Sequence, residues 1–168
     1  MHFCTPLLED DVRKLRVGDK IYISGVVLCG RDAVLPKIVS LLKEGREKEL
    51  GIDLKGQVIF HTAVSPAGVG PTSSNKLEIE DSIIPLSKAG IKIHLGKGAL
   101  KKQTILGLEK FNSIYAVMPP VTALLGSKII DSKLLAFPEL GMEAFYLLKV
   151  DGFPAIVASA HGESIYDE

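Results

Sequence analysis

A chain of 168 residues, 46% hydrophobic and 24% charged, is long enough to bury a core and has an ordinary globular composition. Twenty Lys and Arg balance twenty Asp and Glu, so no net field favours a nucleic acid or an anionic membrane surface. No apolar run approaches the roughly 20 residues of a bilayer-spanning helix.

The N-terminal stretch, Met1 to Asp11, turns acidic where a secretory signal would be basic and then apolar, which predicts a cytoplasmic protein. Lys20 to Leu28 is rich in β-branched residues that partly alternate with polar ones, the pattern of a strand. Arg31 to Glu44 follows with Val34, Leu35, Ile38, Val39, Leu41 and Leu42 close to helical spacing. Pro36 predicts a separate or kinked first turn, and Gly45 a stop. Gln57 to Thr62 reads as a short buried strand. From Ala63 to Asn75 the sequence reads as a long Gly-, Pro- and Ser-rich loop, a length that often carries function. Glu78 to Ala89 predicts a helix capped at Gly90, with Pro85 inside it. Ile91 to Leu95 predicts a strand, Ala99 to Lys110 a helix, Ser113 to Met118 a strand ended by Pro119-Pro120, and Lys128 to Phe137 an extended segment. Ala144 to Val150 and Phe153 to Ser159 predict two strands joined by a hairpin turn at Asp151-Gly152. There is no repeat or linker, so the expectation is one mixed α/β domain over residues 1–168.

Three places put a cation beside small residues. They are Gly30-Arg31-Asp32 after the first strand, Gly70-Pro71-Thr72-Ser73-Ser74-Asn75-Lys76 in the long loop, and Gly96-Lys97-Gly98 after a buried strand. Exposed N–H groups, hydroxyls and positive charge together suit a carboxylate or a phosphate. Spacing of four would align Thr72 with Lys76 if a helix starts there, with Thr72, Ser73 or Ser74 as its cap. The plain alternative for each is a solvated turn with a surface cation. Gly96-Lys97-Gly98 lacks the full phosphate-loop pattern, but ligands gather at loops after buried strands in α/β domains. Arg31 sits poorly at a helix start unless it reaches outward to an anion. His2, His61, His94 and His161 share no metal-ligand spacing; His61, before the long loop, stands out among them. Cys4 and Cys29 are too few for a disulfide framework or a whole iron–sulfur or zinc site, and a reducing compartment is the simplest setting. Absent Trp with plentiful Lys, Glu and Ile hints at a heat-adapted source.

Ser24-Gly25, Gly30-Arg31-Asp32-Ala33, Gly70-Pro71-Thr72-Ser73-Ser74, Gly96-Lys97, Leu135 through Ala144 (Leu-Ala-Phe-Pro-Glu-Leu-Gly-Met-Glu-Ala) and Phe153-Pro154 follow one another in an order that resembles a known family. It is the β subunit of class I fumarases and L-tartrate dehydratases, equivalent to the C-terminal domain of the single-chain enzymes. The resemblance implies a swivelling β/β/α fold, here a single domain with a mixed sheet and flanking helices. It implies a hydro-lyase acting on a C4 dicarboxylate, fumarate hydratase first and a tartrate or related hydroxy-diacid dehydratase second. A non-catalytic anion-binding assembly subunit is the reading from a different class. A four-iron four-sulfur cluster is implied in a separate α subunit, whose cysteines this chain lacks, so a hetero-oligomer is expected and a β–β dimer stays open. Residue by residue, the resemblance puts the catalytic threonine on Thr72 and substrate-binding cations on Arg31, Lys76 and Lys97, with Gly70 and Ser73 beside them. The chain departs from the family pattern at Lys76, usually arginine, which keeps the charge without the bidentate fork. It departs also at Leu35, usually histidine, at Pro119-Pro120, usually Gly-Gly, and at Ala63-Val64-Ser65-Pro66, usually a Gly-Pro segment.

Overall fold

The strand read near the N-terminus is the spine of the molecule. The computed structural model describes residues 1–65, 68–72, 76–118 and 127–166, with backbone alone at 63–65, 68–72 and 76–79. In chain order the elements are β1 (His2–Cys4), α1 (Glu9–Arg13), β2 (Lys20–Cys29), α2 (Leu35–Lys43), β3 (Val58–Phe60), β4 (Thr62–Ser65), β5 (Gly68–Thr72), α3 (Lys76–Lys88), β6 (Ile93–Gly96), α4 (Lys102–Lys110), β7 (Ile114–Val117), β8 (Ile129–Ala136), β9 (Phe145–Ala160) and β10 (Glu163–Ser164). Two 3-10 segments, Glu47–Leu50 and Pro138–Glu143, are also present among the described residues.

Strands β2, β3, β6 and β7 run parallel side by side. Strand β9 lies antiparallel to β7 at one end of this row and to β2 at the other, so the sheet closes into a barrel. The molecule is therefore mixed α/β, a closed sheet with helices against its outside, as the resemblance implied. Alternation along the strands divides the core. Cys29, Phe60, Leu95, Ala116, Phe153 and Val157 fill the barrel, and Phe60 meets Phe153 edge-on with centroids 5.9 Å apart. Leu28, Ile59, Tyr115 and Ala158 face the other way, against Leu35, Ile38 and Leu41 of α2, Ile83 and Leu86 of α3 and Leu108 of α4. Neighbouring strand residues serve opposite layers because successive side chains point to opposite faces.

Four sequence expectations change. The loop read from Ala63 to Asn75 holds a hairpin, in which Thr62 pairs with Thr72 and Val64 with Val69. Its strands are short and glycine-rich, without the alternation that marks a half-buried strand. Asp151-Gly152 is no hairpin turn either: β9 runs through it as one strand of 16 residues. Gly152 takes φ of 68°, and the register with β2 slips opposite it, between Ile23 and Gly25. Gly25 has φ of 98°, and a Cβ there would lie 2.7 Å from Thr5 Oγ1, which accepts from the Val26 N–H. Paired irregularities in facing strands thus bend the barrel wall where a turn was expected. Pro36 neither kinks nor splits α2, because the helix begins only at Leu35 and a missing N–H costs nothing in the first turn. Finally, β1 and α1 add an N-terminal strand and helix that composition did not reveal.

Candidate functional site

Parallel strands end together, and that geometry brings the backbones of two predicted cations, Arg31 and Lys97, to one edge of the sheet. Cys29 stands opposite Phe60 and Phe60 opposite Leu95. The next row is Gly30, His61 and Gly96, with Gly30 N–H donating to Phe60 O at 3.1 Å and His61 N–H to Leu95 O at 3.0 Å. From this row the chain leaves the sheet as Arg31, Thr62 and Lys97. One strand separates Arg31 from Lys97, so at strand spacings of about 4.8 Å their backbones start about 10 Å apart.

Both glycines are needed for contact. A Cβ on Gly30 would come within 2.9 Å of Val34 Cγ1, which sits in the turn leading into α2. A Cβ on Gly96 would come within 3.0 Å of Tyr115 Oη. Glycine lets the turn into α2 close over the end of β2, and Tyr115 of β7 lie against the end of β6, just where the chain turns towards a cation. Arg31 is half-buried, and its Nε donates to Glu143 Oε1 at 3.3 Å. Arg31 and Asp32 occupy the turn before α2, so the expected helix-dipole effect does not apply to them directly. Lys97 is exposed.

Thr72 ends β5 and pairs with Thr62, which follows His61 directly, so its backbone is one strand away from the same row. Gly70 lies in β5 as well, Lys76 opens α3, and Ser73 falls outside the described residues. Thr72 and Lys76 are not aligned on one helix: one closes a strand and the other opens a helix. Pro119-Pro120 also falls outside the described residues. Leu35, in place of the family's histidine, is buried in the layer between sheet and helices.

Two residues and one pairing escaped the sequence reading. Glu143, the partner of Arg31, lies in the Leu-Gly-Met-Glu stretch that carried the resemblance without a role. Glu80 of α3 is buried, and its Oε1 accepts from the Lys101 N–H at 2.8 Å and from the Thr104 hydroxyl at 2.9 Å. It ties α3, which Lys76 opens, to the segment following Lys97. The third is a buried histidine pair. His61 Nε2 lies 3.3 Å from His94 Nδ1, with rings stacked at 5.5 Å, and His94 Nε2 lies 2.8 Å from Ser87 Oγ. Burial pushes His61 down to about 4, and burial followed by the charge on His61 pushes His94 well below its ordinary value. Both rings are therefore neutral near pH 7. They are 33 residues apart, and no sequence spacing announces a contact that parallel strand register creates.

The cysteines do not fit a cluster. Cys4 is exposed, whereas Cys29 is buried in the barrel with its thiol pushed up by desolvation. Among the described residues no three His, Cys, Asp or Glu side chains gather where a metal could sit. Among the described residues, too, no helix is long and apolar enough to cross a membrane.

Against known families, the fumarase C-terminus model matches residues 2–168. The chain belongs to the fumarase C-terminus family. Family relatives match along the same length. A Methanocaldococcus jannaschii protein named "Putative L(+)-tartrate dehydratase subunit beta" is 34% identical, over 96% of this chain and 89% of that protein. The Escherichia coli K12 protein named "L(+)-tartrate dehydratase subunit beta" is 27% identical, over 98% of this chain and 85% of its own. A Geobacillus stearothermophilus protein named "Putative fumarate hydratase class I" is 27% identical over 97% of this chain, which spans 33% of that longer protein.

Proposed function

We propose that this chain is the β subunit of an iron–sulfur hydro-lyase that adds or removes water at a C4 dicarboxylate, working with a separate α subunit that carries the cluster. The observation that carries the reading is the family match along nearly the whole chain. The row at the strand ends supports it, because Arg31 and Lys97 leave neighbouring positions on either side of the strand that leads to Thr62.

In this reading Arg31 and Lys97 hold one carboxylate of the substrate, and Lys76 adds a third positive charge. Arg31 supplies a planar fork suited to a carboxylate, and Glu143 on its Nε fixes the plane of that fork. Lys76 and Lys97 supply point charges on flexible stems. The Thr72 hydroxyl is the proton-transfer group at the substrate carbon, with Gly70 and Ser73 shaping the approach. This chain's cysteines do not make a cluster site; the α subunit would hold the cluster, which would supply a Lewis-acidic iron to the substrate that these residues bind and orient.

Fumarate and L-malate are the proposed substrate pair. L(+)-tartrate is the second reading, favoured by the names of two relatives that match over the full length. Anaerobic co-expression with the α subunit, followed by assay against fumarate, L-malate and both tartrate enantiomers, separates the two. Dehydration of none of these hydroxy-diacids by a cluster-loaded complex would overturn the hydro-lyase reading.

A further inference from the structure

His61 is buried, yet among the described residues its Nδ1 has no hydrogen-bond partner. Native structures leave few such atoms unmet, and each calls for an explanation. The proton count along Ser87, His94 and His61 shows what this atom is. Suppose Ser87 donates to His94 Nε2. Then His94 carries its proton on Nδ1, donates to His61 Nε2, and leaves His61 with its proton on Nδ1. One polar group, an N–H, stays unmet. Suppose instead that Ser87 accepts. Every proton shifts, His61 Nδ1 becomes a bare lone pair, and the Ser87 hydroxyl proton loses its one side-chain partner among the described residues. The second arrangement leaves two buried groups unmet, the first only one, and each adds to instability. The first arrangement is the less costly, and in it the chain of contacts ends in a donor.

That donor sits in an informative place. His61 occupies the row between Gly30 and Gly96, one residue before the chain leaves the sheet, with Arg31 and Lys97 following its two neighbours. An N–H on a residue whose backbone lies between the roots of two cations matches an anion's oxygen and nothing cationic.

We propose that His61 is a substrate-side donor: Ser87 and His94 fix its proton on Nδ1, and that N–H is kept for a carboxylate oxygen of the dicarboxylate bound between Arg31 and Lys97. The inference rests on the anion site proposed above. The atom is closed off from solvent in this chain alone, so the contact requires the residues over His61 to give way as the carboxylate seats.

Asparagine and glutamine divide the imidazole between them, since Asn places its amide near the Nδ1 position and Gln near Nε2. In the α–β complex, calorimetry with succinate, a dicarboxylate that cannot be hydrated, reads binding without turnover. His61→Gln, which keeps the link to His94, should weaken succinate about 10- to 100-fold, the scale of one hydrogen bond to a charged group. His61→Asn should bind within about threefold of the parent. Nitrogen-15 NMR of the full chain should show His61 protonated on Nδ1. Equal succinate affinity in parent and His61→Gln, or a proton on His61 Nε2, overturns the proposal while leaving the hydro-lyase reading intact. Succinate binding that depends on His61 in a complex inactive on every diacid would sustain this proposal and sink that one.

Discussion

Thr72 and Arg31 make the sharpest pair of tests at the scale of single residues. In the cluster-loaded complex, Thr72→Ala should lower kcat by about a hundredfold or more, the usual scale for losing a positioned acid or base. Cluster content and far-ultraviolet circular dichroism should hold. Near-parent turnover at full cluster occupancy would remove Thr72 from the chemistry. Arg31→Lys keeps the charge and loses the fork, so KM should rise about tenfold with a smaller change in kcat. The buried histidines set a pH dependence of stability. His61 titrates near 4 when folded and near 6.5 when unfolded, so between those values the unfolded chain binds more protons. Stability is complete above about pH 6.5 and is lost as the pH falls towards 4. Melting temperature measured from pH 7.5 to 4.5 should fall along this window, and fall less in a His61→Leu, His94→Leu double variant. Arg31 and Lys97 were legible in the sequence because a glycine followed by a cation after a buried strand is a local signal. The contacts of His61 with His94 and of Arg31 with Glu143 were not, because each joins residues 33 and 112 apart.

Glu80 decides how elements, rather than residues, meet at this end of the molecule. Removing its carboxylate in Glu80→Ala leaves the Lys101 N–H and the Thr104 hydroxyl without their acceptor, at about 1–3 kcal/mol for the buried hydroxyl and less for the part-buried N–H. Glu80→Gln keeps an acceptor oxygen and should lie between that variant and the parent in urea midpoint. An alanine variant as stable as the parent would show that α3 and α4 are held by packing alone. Helices α2, α3 and α4 and the parallel strands were readable because their apolar periods are strong and their ends carry glycine or a lysine. The hairpin of β4 and β5 was not, since five residues reading Gly-Val-Gly-Pro-Thr show no strand period. Strand β9 was misread for the opposite reason. Its Asp151-Gly152 pair is the local signature of a turn, and only the matching irregularity at Gly25 across the barrel makes it part of a continuous strand.

For the molecule as a whole, this chain purified without its partner should bind no iron stoichiometrically and hydrate nothing, because Cys29 is locked in the core and Cys4 alone is exposed. Iron retained one-to-one through gel filtration would contradict this. Closure of the sheet was the least legible property of the sequence, since no local pattern states which strand a given strand will choose. It also sets the order in which the protein can be made. The residues of β2 leave the ribosome early, whereas β9, which covers their open edge from Lys20 to Cys29, begins only at Phe145. Until most of the chain has been synthesised, that edge and the barrel side chains behind it face solvent, chaperones or other nascent chains. Folding is therefore governed by a pairing more than a hundred residues long in sequence, which slows it relative to a helical protein of this size. A fragment ending at Leu135 keeps about four-fifths of the residues but not the strand that seals them, and should be recovered as aggregate rather than as a smaller folded unit.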